Sequence, residues 1–317
     1  MTTSCKKVGV PGRAFNGDGC LALTGVQTQL AGYEREDQLT QAGETWTQRR
    51  LANWRQTPET HIAGDEEAPE LIDQLGIITL YPASSEVPNL YHAYMGDPNA
   101  KTEAKWDSPS GTVYSWRWTL GRREAGFYGV VVRKRPTFVS WRLLPAALRL
   151  CADLRMPDEL YDQGVISSAA YRITQALEAA GGALTTGELR EAAGFPAGKE
   201  QRTAYLKAIE ELDTRLLLAK FFTPGDDDAH HALLYMRYRE YVDAAERLTR
   251  EEALDQALSI YLPNAVYAAP TILARHLRLE EAELRPGLDR LVEAGQAEKR
   301  ALPGYKEDCY VWMSDAD

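Results

Sequence analysis

The stretch from Ser167 to Tyr238, SSAAYRITQALEAAGGALTTGELREAAGFPAGKEQRTAYLKAIEELDTRLLLAKFFTPGDDDAHHALLYMRY, strings together several local folding signals. Ser167 stands where a helix N-cap is wanted, and Tyr171, Ile173, Ala176 and Leu177 supply the apolar positions of the turns behind it. Gly181-Gly182 ends that helix near Ala180. Thr185-Thr186 caps again ahead of a short helix, Gly187 to Ala193, and Gly194-Phe195-Pro196 turns the chain. Lys199 to Leu212 reads as a longer helix with Leu206, Ile209 and Leu212 inward. Leu216 to Phe222 and His231 to Tyr238 are β-rich runs around the acidic turn Gly225-Asp226-Asp227-Asp228. Helix, short helix, turn, longer helix, hairpin: this order predicts a winged helix-turn-helix.

The order recurs downstream. Arg250 to Leu262 predicts a helix, Ala269 to Leu277 a short one, and Glu280 to Ala294 a longer one broken near its first turns by Pro286. Gln296 to Arg300 and Tyr305 to Met313 are strands about Leu302-Pro303-Gly304. The modules occupy about residues 160–245 and 246–317, and their kinship lies in element order, since few residues are shared between them.

Working back from Ser167, residues 34–152 read as an N-terminal helical and small-sheet region. A polar helix from Glu34 to Gln56 carries Leu39, Trp46, Leu51 and Trp54 on one face, and Thr57-Pro58 ends it. Glu66 to Leu75 is a short helix, Ile77 to Leu80 a strand, and Asn89 to Met95 an aromatic helix. Thr112 to Leu120 fits an alternating strand or a short helix. Gly126 to Arg133 and Thr137 to Val139 are strands, and Ser140 to Ala152 an apolar helix perturbed by Pro145. Residues 1–33 read as a poorly ordered tail. The fold class is therefore α+β, mostly helical, with tandem winged modules behind a helical and small-sheet region.

Composition narrows the function. With 44% hydrophobic and 26% charged residues among 317, the chain is expected to be globular and too long for one simple core. No apolar run is long enough to predict a membrane helix. Cys5, Cys20, Cys151 and Cys309 lie far apart without zinc spacing, which predicts a reducing, cytoplasmic setting and no cofactor or structural metal. Charge is distributed unevenly. The chain is net −10, yet residues 101–150 hold ten basic side chains and three acidic ones. An acidic protein with one basic island offers polyanions a single face.

The same fifty residues hold Trp106, Trp116, Trp118 and Trp141, four of the seven tryptophans. Cations neutralise phosphates and aromatic rings stack on exposed bases. Trp116, Arg117, Arg122, Arg123, Arg133, Lys134, Arg135 and Arg142 are accordingly the candidate DNA contacts, against the plainer reading of core tryptophans with a solvated arginine rim. Lys199 and Arg202, at the start of the longer helix of the first module, are further candidates for a groove. Glu280, Glu281 and Glu283 crowd the corresponding helix of the second module and predict a packing role. No HExxH, GxSxG, P-loop or GxGxxG motif has a credible setting.

Ala68 to Pro82 (APELIDQLGIITLYP), Val87 to Tyr91 (VPNLY), Tyr128-Gly129, Arg133 to Ser140 (RKRPTFVS) and Leu144-Pro145 carry a further signal. Together with the tandem modules they resemble a bacterial winged-helix family related to the DNA glycosylases typified by AlkZ and YcaQ. The resemblance spans about residues 45–300. It implies double-stranded, damaged DNA as partner, a nucleoid-associated place in DNA repair, and base excision by an N-glycosidic bond hydrolase as an alternative to binding alone. The glycosylases use a Gln-x-Gln or Gln-x-Asp motif with an apolar middle residue to hold the attacking water. Gln27-Thr28-Gln29 is its one match here, with a polar middle residue, so Gln27 and Gln29 are the candidate catalytic pair. A protein-interaction scaffold or transcriptional regulator is the remaining reading.

Overall fold

The computed structural model describes residues 41, 43–132, 135–225 and 228–313. The expected tail, Gln27 and Gln29 lie outside the described residues, as do Arg133 and Lys134. Helices take about half of the described residues, and the strands form three antiparallel sheets of three strands each. The fold is mixed α/β.

Helix α1 spans 43–53. The first sheet follows from α2 (Ala68–Leu75), β1 (Ile77–Thr79), α3 (Leu90–Met95), α4 (Pro109–Arg122), β2 (Phe127–Val132) and β3 (Arg135–Val139), with strands in the order β1-β3-β2. Helices α5 (Leu144–Cys151) and α6 (Pro157–Asp162) lead to α7 (Ser168–Ala180), β4 (Leu184–Thr185), α8 (Thr186–Ala192), α9 (Lys199–Thr214), β5 (Leu218–Phe221) and β6 (His230–Leu233), in the order β4-β6-β5. After α10 (Leu234–Arg237) and α11 (Arg239–Arg247) come α12 (Arg250–Ala265), β7 (Tyr267–Ala268), α13 (Pro270–Leu277), α14 (Glu281–Glu293), β8 (Ala297–Arg300) and β9 (Cys309–Trp312), in the order β7-β9-β8. Helix, short strand, two helices and a hairpin whose last strand lies in the centre thus occur three times. The sequence reading found two copies. The first is obscured because a long loop, residues 96–108, separates its second and third helices.

Local chemistry explains most boundaries. Ser167 accepts a hydrogen bond from the Ala170 amide, and Thr185 with Glu188 and Thr249 with Glu252 close full capping boxes. The ambiguous Thr112–Leu120 segment is helical. Ser108 caps it by accepting from the Gly111 amide, and Pro109 occupies its first turn, where a missing N–H costs nothing. Pro145 likewise opens α5 rather than perturbing it. Pro286 lies inside a continuous α14, contrary to the expected break. Leu206 is 52% exposed, whereas Tyr205, Ala208 and Leu212 are buried, so the inward face of α9 is rotated by one residue from the expected one.

Packing joins sequence-distant parts. One large core runs through the first repeat, α5, α11, α12 and parts of the third repeat, for example Ile72, Leu144, Val242, Leu258 and Leu284. The second repeat has a core of its own, around Leu160, Ile173, Leu189, Phe195 and Leu233. A buried ion pair pins α1 to both ends of the larger body. Arg50, 2% exposed, donates to both carboxylate oxygens of the fully buried Glu86 at 3.1 and 3.2 Å and to the Ala265 carbonyl at 2.6 Å. It also donates to the Ser85 and Tyr267 carbonyls, while the Tyr305 hydroxyl donates to Glu86 at 2.8 Å.

Candidate nucleic-acid interface

Helix α4 carries the tryptophan-rich segment, and its two sides differ. Trp116 and Leu120 turn inward, with Trp116 4% exposed and edge-on to Tyr94 at 5.2 Å. The sequence reading placed Trp116 at the interface, but an indole enclosed in the core cannot stack on a base. Tyr114 and Trp118 lie on the outer side and meet edge-to-face at 5.6 Å. Trp106, from the loop before α4, completes the group at 6.0 Å from Tyr114 and 6.2 Å from Trp118. It is 68% exposed, more than any other large apolar side chain among the described residues. The Arg117 guanidinium covers both neighbouring rings, 3.8 Å from the Tyr114 centroid and 4.0 Å from that of Trp118.

The row continues into the second repeat. Phe222, at the end of β5, lies 6.3 Å from Trp118 and 6.2 Å from Tyr128. It reaches α4 because position 121 is glycine: a Cβ there would sit 2.6 Å from the Phe222 ring. Behind Tyr128 is a cavity of about 90 Å³ between β2, the end of α9 and β5, lined by Tyr128, Gly129, Pro136, Asp213 and Lys220 among others. Burial pushes the Asp213 carboxyl up to about 6, partly offset by Lys220, and burial lowers the Lys220 ammonium. Burial also pushes the Tyr128 phenol up to about 12. Opposite Lys220 in the sheet stands His231, 3% exposed, with Nε2 3.1 Å from the Thr186 hydroxyl and its pKa lowered to about 3 by burial, Lys220 and His230.

The other expected DNA contacts divide into engaged and open cations. Arg123 donates to Glu66 at 2.9 Å and lies 3.7 Å from Asp65. Arg142 donates to the Asp73 and Gln74 carbonyls at the end of α2, so it satisfies the carbonyls that a helix C-terminus leaves unpaired. Arg122 donates to the Thr223 carbonyl at 3.3 Å and helps seat the end of β5 against α4. These three arginines hold elements together. Arg135 is exposed on β3 and borders a groove of about 740 Å³ with Tyr81, His92, Lys101 and Glu103. Lys199 and Arg202 are exposed at the start of α9. At about 1.5 Å rise per residue, Lys199 lies roughly 21 Å along the axis from Asp213, so the structure does not bring it to the α4 face.

Sequence reasoning missed Tyr114, Trp118, Lys220, Phe222 and Asp213 as a group. The Ser108-Pro109 signal was there to settle α4 as helical, and helical spacing then places Tyr114 and Trp118, four apart, on one face. The approach of Phe222 had no local signal. Among the described residues no cluster of three or more histidine, cysteine or acidic side chains could hold a metal ion, and no helix is long and apolar enough to cross a membrane.

The model of the AlkZ-related family matches residues 62–269, more than half of the chain, and the chain belongs to that family. The match takes in the whole first and second repeats and α12. The solved structure of the Streptomyces sahachiroi DNA glycosylase AlkZ shares the fold with a TM-score of 0.51, over 84% of this chain and 70% of that one, at 13% identity. A search of curated proteins finds no match.

Proposed function

We propose that this protein binds DNA through the outer face of α4 and its surroundings and acts in DNA repair. The observation that carries the reading is the row Trp106, Tyr114, Trp118 with Arg117 laid across it, an aromatic and cationic surface on an otherwise acidic chain. Membership of the AlkZ-related family and a fold shared with a DNA glycosylase support it. The three repeats are then winged helix-turn-helix modules, two of them at about 160–245 and 246–317 and the first within the N-terminal region. In the third, Arg285 is tied to Glu281 and Glu307, which suits packing rather than phosphate contact.

Phosphate contacts release counterions, so log affinity should fall linearly with log salt. Replacing Arg133, Lys134 and Arg135 together by alanine should weaken binding to all duplex sequences alike. It should also flatten the salt slope by about 2.7, at roughly 0.9 per phosphate lost. An unchanged affinity and slope would remove these residues from the interface.

The likeness to a glycosylase favours a second reading, base excision. A 7-alkylated purine leaves as a stabilised neutral base, so the enzyme has mainly to shelter a developing sugar cation and hold one water in line. Side-chain amides can orient that water through their donors and acceptors, which is the role proposed for Gln27 and Gln29. Release of free base from 7-alkylpurine DNA by the unaltered protein, lost on Gln27→Ala with Gln29→Ala, would establish it. Equal release by that double variant would discard the pair.

A further inference from the structure

We infer that the Trp106 face is built to take a single unpaired base, so that the preferred ligand is DNA carrying an unstacked or extrahelical nucleotide rather than continuous duplex. This rests on the DNA-binding reading and specifies its ligand. An indole left 68% exposed forgoes burial, so what keeps it at the surface matters. The placement is enforced by the backbone. The Trp106 carbonyl lies so close over Gly111 that a Cβ there would sit 1.8 Å from its oxygen. Ser108 closes the same turn, donating to the Lys105 carbonyl at 2.6 Å and accepting from the Gly111 amide. Further back, the Glu103 amide donates to Ser110 at 2.9 Å, and Tyr91 donates to the Lys101 carbonyl at 2.7 Å. The indole is then braced edge-on by Tyr114 and Trp118. A ring held this way presents a surface without having to be ordered when a ligand arrives.

The neighbouring charge selects the ligand. Arg117 has no carboxylate within ion-pair distance among the described residues, and its Nε is buried without an acceptor. It supplies one positive charge over the two rings that brace Trp106, matching a phosphate attached to a stacked base. On the same loop Glu103 and Asp107 are balanced by Lys101 and Lys105, with Lys105 Nζ 3.5 Å from Glu103, so the loop adds no net positive charge. The loop offers a long phosphate track no net attraction, while one base with one phosphate fits. Bases inside a duplex already stack on their neighbours and gain nothing from the ring. An unpaired base gains a π-face.

The test measures affinity of the full chain, at one fixed salt concentration, for three probes: an oligothymidine strand, a fully paired duplex, and that duplex with one bulged nucleotide. The expected result is tighter binding of the strand and the bulged duplex than of the paired one. Trp106→Ala should weaken the first two by roughly 5- to 150-fold, the range for one stacked base, and the paired duplex by a clearly smaller factor. Trp106→Phe should restore most of the loss. Gly111→Ala, which keeps the indole and removes its seat, should reproduce the loss, with circular dichroism confirming that α4 persists. If all three probes bind and Trp106→Ala leaves them equal, the inference fails and the DNA-binding reading stands. If none of the probes binds, both fail.

Discussion

Replacing Glu86 by glutamine tests what holds the larger body together. Arg50 and Glu86 are buried at 2% and 0% exposure, where an isolated charge is costly. Burial alone would lower the Arg50 pKa, yet the Glu86 charge beside it holds it above its ordinary value. In Glu86→Gln the guanidinium keeps the Ser85, Ala265 and Tyr267 carbonyls and can retain one bond to the new amide oxygen. It loses the only opposite charge within ion-pair distance among the described residues. Breaking a buried pair from one side costs about 3–5 kcal/mol, and the surviving carbonyl bonds place this change near the lower end, at about 3. Arg50→Met should cost more, nearer 5 kcal/mol, because the stranded carboxylate keeps chiefly the Tyr305 hydroxyl. The double variant Arg50→Met with Glu86→Leu should cost clearly less than the two single changes added, since neither charge is left buried. Urea unfolding followed by tryptophan fluorescence reads all three, with Trp54 5.1 Å from the Arg50 guanidinium as a local reporter. The second repeat has its own core and no tryptophan, so its unfolding transition, followed by far-UV circular dichroism, should stay in place while that of the larger body moves. A loss below about 1 kcal/mol for Glu86→Gln, or strict additivity in the double variant, would refute the pair as the clasp of this body.

Gly121→Ala should drive a methyl into Phe222, 2.6 Å from the Cβ position, and destabilise the contact between the first and second repeats by about 1–3 kcal/mol, read as a lowered urea midpoint. His231 supplies a pH prediction. Its folded pKa of about 3 lies below its ordinary 6.5, so it contributes stability that is present above pH 6.5 and is lost as the pH falls toward 3. His231→Gln should remove that component, and a wild-type chain whose stability showed the same pH dependence as this variant between 6.5 and 3 would count against a buried neutral imidazole.

Much of this protein was legible in local sequence. Ser167, Thr185 with Glu188 and Thr249 with Glu252 announce helix starts, because a hydroxyl three residues ahead of an unpaired amide satisfies it wherever the segment lies in the fold. The β-rich runs of the second and third repeats and the basic island were readable from local composition, although Leu234–Arg237, within the expected strand His231 to Tyr238, is helical. What tertiary structure alone decided is which groups meet. Arg123 and Arg142 resemble Arg117 in sequence, yet the first two close on Asp65, Glu66 and the end of α2 while Arg117 lies over two rings with no carboxylate within ion-pair distance among the described residues. Trp116 and Trp118 stand two residues apart, one enclosed and one half-buried on the outer side, because a helix turns about 200° between them and the neighbour that encloses one side comes from elsewhere in the chain. Arg50 finds Glu86 and the Ala265 carbonyl 36 and 215 residues away. A helix start is settled by atoms a few residues apart, whereas burial and charge pairing depend on surfaces that adjoin only after the helices and sheets have packed.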